Sequence, residues 1–468
     1  MISRLSVQLA LLAFLCLMSA NAGADAAGTV QFSSEIRQIV GGQPTDVAVG
    51  DFNSDGIQDL VVVNAQGYIS RLTGSGDGTF GDPSIFTVGA NARAIEAGDF
   101  NADGLLDVAV ANFSSHNVSV LLGSGFGNFA AQSTYATGFF PESIAIGDFN
   151  ADGVPDLVVG NLDGDVSILL GVGDGTFSSQ TMFQAGESPR SVAVGDFDRD
   201  GAQDLAVANA GFAGGVSILL GVGDGRFGAA VQYAAGSGSS GVAIGHFSSS
   251  GFEDLVVANS LSDDVSILPG LGDGAFSSEK RFPIIGSGLI AVVVDDFNGD
   301  SFDDAAITGG DDAVCVLLGA GDSTLIAQSS FGTDRTPVSL SIGHLDNDLR
   351  PDLVTANLFG GSVSIFLNES TVPSCTDLDA DGFTTCAGDC NDDSAAVHPG
   401  AEELPGNSTD ENCDGLLGVC DPTAIWRNHG QFVQCVAREV RVLVRNGRIT
   451  KQAGDVLIRS AAHSNVGK

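Results

Sequence analysis

The sequence predicts an all-β chain: a seven-bladed β-propeller of four-stranded blades, followed by a small Cys/Asp-rich metal-binding module and a short α-helical hairpin at the C-terminus. Three observations predict it. An acidic phrase, D-x-[ND]-x-D-G-x-x-D, recurs along the chain. Each recurrence comes with four short apolar runs separated by glycine-rich turns. The last repeat stops one strand short, and the stretch before the first supplies a spare strand.

The acidic phrase starts at Asp51, Asp99, Asp148 and Asp196, with weakened copies at His246, Asp296 and His344. Successive starts lie 48, 49, 48, 50, 50 and 48 residues apart. Such even spacing means a repeat architecture. Within the fourth repeat, 191–197 reads as strand one and 204–209 as strand two. Strand three spans 215–221, a tight turn 222–225, and strand four 226–233. The seventh repeat ends with its third strand, 362–367, and 28–40 is the spare fourth strand expected to pair with it and hide the sheet edges.

Residues 1–22 carry a basic start at Arg4, an apolar core from Leu9 to Leu17 and an Ala20-Asn-Ala22 cleavage pattern. That predicts a secretory signal peptide and a secreted product. The apolar run is shorter than the about 20 residues a membrane span needs, and no later stretch is long enough. The propeller then occupies 23–370, the Cys/Asp-rich module 371–420 and the helical segment 421–468. A formal charge of −39 argues against nucleic acid and anionic membrane surfaces as partners.

The acidic loops carry the clearest chemistry. Oxygens at positions 1, 3, 5 and 9, with a glycine at 6 for the turn, suit a hard cation such as Ca2+. The expected ligands are Asp51, Asn53, Asp55, Ile57 and Asp59 in the first loop, and Asp99, Asn101, Asp103, Leu105 and Asp107 in the second. The third offers Asp148, Asn150, Asp152, Val154 and Asp156, and the fourth Asp196, Asp198, Asp200, Ala202 and Asp204. Position 7 would ligate through its carbonyl. The sixth loop keeps Asp296, Asn298, Asp300 and Asp304 but has Ser301 for the glycine. The seventh has His344, Asp346, Asp348 and Asp352, also without the glycine. The fifth, with His246, Ser248 and Ser250, has too few hard oxygens. Strands rather than helices flank these loops and no glutamate follows at position 12, so they are not EF-hands.

The G-D-F-N-x-D-G-x-x-D-L phrases and the G-x-G-D-G-x-F turns, such as Gly173-Asp-Gly-Thr-Phe177, resemble the FG-GAP/VCBS repeats of the integrin alpha-subunit propeller and of many bacterial exported proteins. The resemblance covers 29–368. It implies calcium in the acidic loops on one face and recognition on the opposite face. The family spans adhesion proteins, lectins and domains attached to enzymes, so it leaves the function open.

Beyond 370 the sequence changes. Asp377, Asp379 and Asp381 open a second acidic pattern that continues through Cys386, Gly388-Asp-Cys390, His398-Pro-Gly-Ala-Glu402 and Asn412-Cys-Asp-Gly415. It resembles a metal-binding repeat of secreted bacterial proteins, among them a copper-binding protein of methane oxidisers. Its hard oxygens favour calcium over copper. Cys375, Cys386, Cys390, Cys413, Cys420 and Cys435 suggest up to three disulfides. Cys315 takes the serine position of the repeated V-S-I-L-L phrase and reads as a strand residue. Phe432, Val433, Val436, Val440, Leu443 and Val444 form one helical stripe.

No G-x-S-x-G or H-E-x-x-H is present, and the carboxylates sit in metal patterns, so no enzyme is expected. Binding should use the variable loops opposite the acidic corners. Their candidates are Phe113, Phe139, Phe140, Arg190, Phe212, Arg335 and Phe359, with His116 among them. The expected function is a monomeric, secreted, calcium-binding propeller that recognises an extracellular protein or polysaccharide without catalysis. The alternative is a carbohydrate-binding or polysaccharide-cleaving extracellular protein.

Overall fold

The second strand of every repeat reads as an apolar run, interrupted only by Thr308 and Thr355, between an aspartate and, in six of the seven, an asparagine: 59–64, 107–112, 156–161, 204–209, 254–259, 304–309 and 352–357. A strand apolar on both faces must be covered on both faces. The computed structural model describes residues 30–211, 214–284 and 286–370, and there it arranges 28 strands as seven four-stranded antiparallel sheets. Each second strand is buried along its length and lies between two neighbouring sheets. Seven apolar clusters result, one at each junction between consecutive blades, and the last joins blade seven to blade one. The core is thus a ring of interfaces.

The ring closes as the sequence predicts. Blade seven takes three strands from the end of the propeller and its outermost strand, Ile36–Ile39, from the beginning. Ile36 faces Ile365 and Ile39 faces Ser362. Regular pairing is shorter than the expected 28–40. Upstream the segment continues as an isolated bridge from Phe32 to Asn368, with Ser33 N–H donating to Leu367 O at 2.8 Å. Phe32 leaves the ladder to pack its ring 5.9 Å from Phe297 and 5.2 Å from Phe331.

Outside blade six, whose fourth strand spans Leu325–Gly332, the fourth strand is also shorter than predicted, 231–233 rather than 226–233 in blade four. Phe227 breaks it, bridging back to Gly221 and packing edge-on against Phe149 of blade three at 5.5 Å. The G-x-G-D-G-x-F turns therefore latch neighbouring blades. Gly175 N–H donates to Phe100 O at 3.0 Å, Gly225 to Phe149 O at 2.8 Å, Gly274 to Phe197 O at 3.0 Å, and Gly78 closes the ring on Leu345 O at 3.0 Å. These glycines have φ of 77–82°, and a Cβ on Gly78 would lie 2.8 Å from Leu367. A side chain is excluded twice over, by backbone conformation and by space.

Six blades repeat a buried asparagine–serine bond across strands two and three, as in Asn112 Nδ2 to Ser119 Oγ at 2.8 Å and Asn161 Nδ2 to Ser167 Oγ at 2.9 Å. Blade six replaces the pair with Gly309 and Cys315, and Cys315 lies in a strand as expected. The chain divides at Thr371, and the second unit, Val372–Lys468, lies outside the described residues. The expected signal peptide, Cys/Asp-rich module with Asp377, Asp379 and Asp381, disulfides and helical hairpin all fall outside them.

Phe32→Ala should cost about 3 kcal/mol in a denaturant unfolding experiment, because it empties a buried aromatic site at the clasp of the ring. A loss below about 1 kcal/mol would mean that this segment does not hold the ring closed.

Candidate metal corners and recognition face

The ninth residue of each acidic phrase is the first residue of strand two. Asp59, Asp107, Asp156, Asp204, Asp254, Asp304 and Asp352 are all 0% exposed. One carboxylate oxygen accepts the amide at the end of strand three: Gly123 to Asp107 at 2.6 Å, Gly221 to Asp204 at 2.7 Å, Gly270 to Asp254 at 2.8 Å. In blades two, three, four, six and seven the other oxygen accepts the amide of position 2, such as Phe100 at 2.9 Å and Phe197 at 2.8 Å. The aspartate is thus a staple between two turns. Burial pushes the carboxyls of Asp107, Asp156, Asp204 and Asp352 up to about 6 and Asp304 up to about 8, in spite of these amide donors.

Around each staple the loop folds on its own carboxylates. In the first four loops position 1 accepts the amides of positions 5 and 6, as Asp148 does from Asp152 at 3.1 Å and Gly153 at 2.9 Å. Position 5 accepts the amide of position 7, so Ile57, Leu105, Val154 and Ala202 all take the same place. Two residues per loop are left-handed. The sequence announces Gly153 at position 6 but not Ala151 at position 4, with φ of 56°. Carboxylate oxygens of Asp196, Asp198 and Asp204 lie within 4.8 Å of one another. Facing carboxylates at about 4 Å repel by roughly 4 kcal/mol per pair at an effective dielectric of 20. Convergent hard oxygens of this kind fit a metal ion.

The weakened loops differ in instructive ways. Loop six keeps the whole hydrogen-bond pattern. Ser301 takes the left-handed position at φ 71°, and its amide donates to Asp296 at 2.7 Å. In loop seven Asp346, Asp348 and Asp352 converge as in loop four, but Arg350 donates to Asp348 through its guanidinium, with Nε at 2.7 Å. Burial pushes the Asp348 carboxyl up, yet the Arg350 amide and guanidinium hold it below its ordinary value. The chain supplies its own cation there. Loop five substitutes a Ser248–Ser250 hydroxyl contact of 2.9 Å for the acids.

On the opposite face the structure brings four predicted residues together. His116 follows strand two of blade two, and Phe140 precedes strand one of blade three. Phe113 and Phe140 ring centroids lie 5.0 Å apart, His116 and Phe139 5.1 Å, and His116 and Phe140 4.8 Å. Phe140 N–H donates to His116 Nδ1 at 3.1 Å. Both residues are left-handed, with φ of 53° for His116 and 59° for Phe140. The repeat uses Gly67, Gly164, Gly215, Asp263, Asp312 and Gly361 where His116 stands, and Asn91, Ser188, Gly238 and Thr336 where Phe140 stands. A bulky residue in that conformation costs about 1–2 kcal/mol. Phe139 remains 60% exposed and Phe140 42%. Arg335 and Phe359 meet elsewhere, where Phe359 N–H donates to Arg335 O at 3.3 Å on blade seven. Arg190 lies at the mouth of the axial cavity. Phe212 is outside the described residues.

That cavity also holds two groups the sequence reading missed. Asp46 accepts the amides of Val47 at 2.9 Å and Ile95 at 3.0 Å, and burial pushes its carboxyl up to about 6. Glu96 stands where blades one, three, four and five place Ala48, Ala145, Ala193 and Ala243, and blades six and seven Val293 and Ser341. Burial first, then the charge of Asp46, pushes its carboxyl up to about 8.

Residues 51–110, 99–159 and 148–207 match the FG-GAP-like repeat family, and residues 389–416 match Cu-binding_MopE, described as "Putative metal-binding motif". No curated protein matches the chain. Among solved structures, BBS1N in complex with ARL6DN, soaked with lead, aligns with a TM-score of 0.53 at 14% identity, over 75% of this chain and 99% of that one. The mercury-soaked form of that complex gives 0.52 at 14% identity, over 74% and 99%. These likenesses concern the fold alone. An Agrocybe aegerita lectin specific for non-reducing terminal N-acetylglucosamine aligns at 0.46 and 20% identity, over 64% and 81%, too weakly to carry an argument. Among the described residues no helix is long and apolar enough to cross a membrane.

Two outcomes follow from this geometry. Asp254→Ala removes a staple from the blade with no acidic loop, so it should destabilise by about 2 kcal/mol, equally with and without metal. A loss that disappears in chelator would make that aspartate a ligand instead. Glu96 has a folded value of about 8 against an ordinary 4.5, so the folded state holds its proton and stability falls as pH rises through that window. Asp46 and, at the mouth, Arg93, Glu142 and Arg190 share the cavity. Glu96→Gln should melt higher than the parent at pH 8 and alike at pH 4; equal melts at both would refute the buried acid.

Proposed function

As a seven-bladed propeller of FG-GAP-like repeats, this protein is, we propose, a secreted, calcium-stabilised recognition module that binds an extracellular partner without catalysis. The observation that carries the reading is the aromatic cluster of Phe113, His116, Phe139 and Phe140. Two of its members, His116 and Phe140, put aromatic rings at left-handed positions that glycine or small polar residues (Asn91, Ser188, Asp263, Asp312, Thr336) fill in other blades. Phe139 and Phe140 are exposed, and Phe113 and His116 are half-buried beneath them rather than in the core. Retained strain at an exposed cluster is better explained by binding than by folding. Exposed aromatic anchors of this kind suit protein recognition.

Calcium is the ion that the acidic corners suit best, because every side-chain donor in loops one to four is a hard oxygen. Its role in this reading is architectural. It relieves carboxylate repulsion at the corners on the face away from the aromatic cluster. The leader-like pattern at 1–22 and the company of the C-terminal metal-binding motif favour export. For that motif the oxygen-rich donor set again favours calcium; copper in protein purified from cells would reassign it.

A second reading has one observation in its favour. The ring of Phe139, 60% exposed, offers a flat apolar platform of the kind on which sugars stack. A lectin-like role would use the same cluster.

Chelation should lower the melting temperature, and an unchanged melt in excess chelator would remove calcium from the architecture. Phe140→Gly should melt no lower than the parent, because it relieves the strained backbone, while abolishing partner capture. A glycan array run with calcium separates the two readings. Hits lost in Phe139→Ala support the lectin, whereas a blank array with a captured surface protein supports the adhesion role.

A further inference from the structure

The inner strands of five blades carry a β-bulge at the same place. The register shifts between Pro44 and Asp46, Ala92 and Ala94, Pro141 and Ser143, Pro189 and Ser191, and Ser239 and Gly241. The extra residues are Thr45, Arg93, Glu142, Arg190 and Ser240. A bulge turns one side chain out of the ladder and is common beside functional sites. All five line a cavity of about 570 Å³ on the propeller axis.

Two of the five are committed to packing. Thr45 Oγ1 donates to Ala92 O at 3.0 Å and Ser240 Oγ to Leu289 O at 2.7 Å, each tying its blade to the next. The three consecutive blades between them carry charges instead. Arg93 Nε and Glu142 Oε2 stand 3.9 Å apart, too far for a hydrogen bond, and neither atom has a partner although both are buried. Ser143 Oγ, in the next residue, is likewise buried without a partner. Arg190 makes no ion pair among the described residues. Each buried polar atom left unsatisfied is unfavourable, and a ligand that satisfies it gains what the fold forgoes.

We infer that Arg93, Glu142 and Arg190 form a binding arc for a small zwitterion of the amino-acid or dipeptide class, its carboxylate taken by the guanidiniums and its ammonium by Glu142. The order of charges supports this choice. A simple anion would meet Glu142 and a chain of formal charge −39. A simple cation would meet two guanidiniums. A zwitterion satisfies all three groups, and guanidinium forks are suited to carboxylates. The cavity lies within the range of about 300–1,000 Å³ usual for small-molecule sites. Below the charged arc its wall is mixed: Ala48, Val49 and Ala97 are available to a ligand side chain, beside the carboxyls of Asp46 and Glu96. The arc touches the aromatic cluster at one point, where Arg93 Cζ sits 5.1 Å from the centroid of the Phe113 ring, and shares no residue with it. Binding here does not depend on the macromolecular partner proposed above.

Isothermal titration calorimetry on the full chain in calcium tests it, with alanyl-alanine, its N-acetylated amide, glucuronate and inorganic phosphate as probes. The free dipeptide should bind and the blocked one should not. Arg190→Ala and Glu142→Gln should each weaken the dipeptide by about tenfold, the scale of one charge-assisted bond. Arg190 is exposed, so its removal keeps the fold; Arg190→Lys, which keeps the charge and loses the fork, should weaken binding less. Phe139→Ala should bind the dipeptide as the parent does even where it has lost its macromolecular partner. No heat from the dipeptide overturns the inference. So does glucuronate or phosphate binding as tightly as the dipeptide, or dipeptide binding unchanged in both arc variants.

Discussion

A carboxylate at the start of strand two holds each blade together. It accepts an amide from the end of strand three, and in five blades a second from the corner before it. Burying an ion is expensive unless its oxygens are satisfied. Here the satisfying donors are the backbone itself, so the aspartate fixes where strand one ends and how strand three turns. Blade five shows the order of dependence. It has lost the other acids of the loop and keeps Asp254, fully buried, with Gly270 donating to it. The acidic loops elsewhere are additions to this staple: the staple sets the corner, and the corner gathers further oxygens beside it.

The same economy runs between blades. The turn that follows strand three is short because its glycines reach the neighbouring corner, and the phenylalanine after them packs edge-on against the neighbour's corner phenylalanine, as in Phe177 on Phe100 and Phe276 on Phe197. Cohesion is therefore nearest-neighbour all the way round, which is how repeat proteins hold together generally. A closed ring differs from an open solenoid in having no terminal blade to cap. Blade seven, assembled from both ends of the propeller, takes that burden.

Most of the architecture was legible because the repeat states it seven times. Strand two could be read to the residue, since a run such as Asp204–Asn209 has only one way to be buried on both faces. Outer strands were misjudged because Phe227 looks like a strand residue by composition but is pulled inward by its neighbour. On the face opposite the acidic corners, Phe113, Phe139 and Phe140 could be named from their loops, yet nothing local says that they converge while Arg335 and Phe359 meet apart from them on blade seven. Convergence is a property of adjacent blades. Arg93, Glu142 and Glu96 escaped notice for another reason. A bulge has no sequence signature of its own, and Glu96 was hidden in an alternating strand. The position after the strand's first residue varies from Thr45 to Arg93 to Glu142 to Arg190 to Ser240, and its neighbours vary too, so the column does not stand out along the chain.

Arg350 gives blade seven a property that the other corners lack. Its guanidinium neutralises Asp348 from within the chain. The blade that clasps the two ends of the propeller is thus the one whose acidic corner is compensated by a tethered charge. A tethered charge is present at unit stoichiometry from the moment the corner folds, whatever the ionic composition around it. Closure at blade seven therefore calls for no ion at its own corner, whatever the other loops hold.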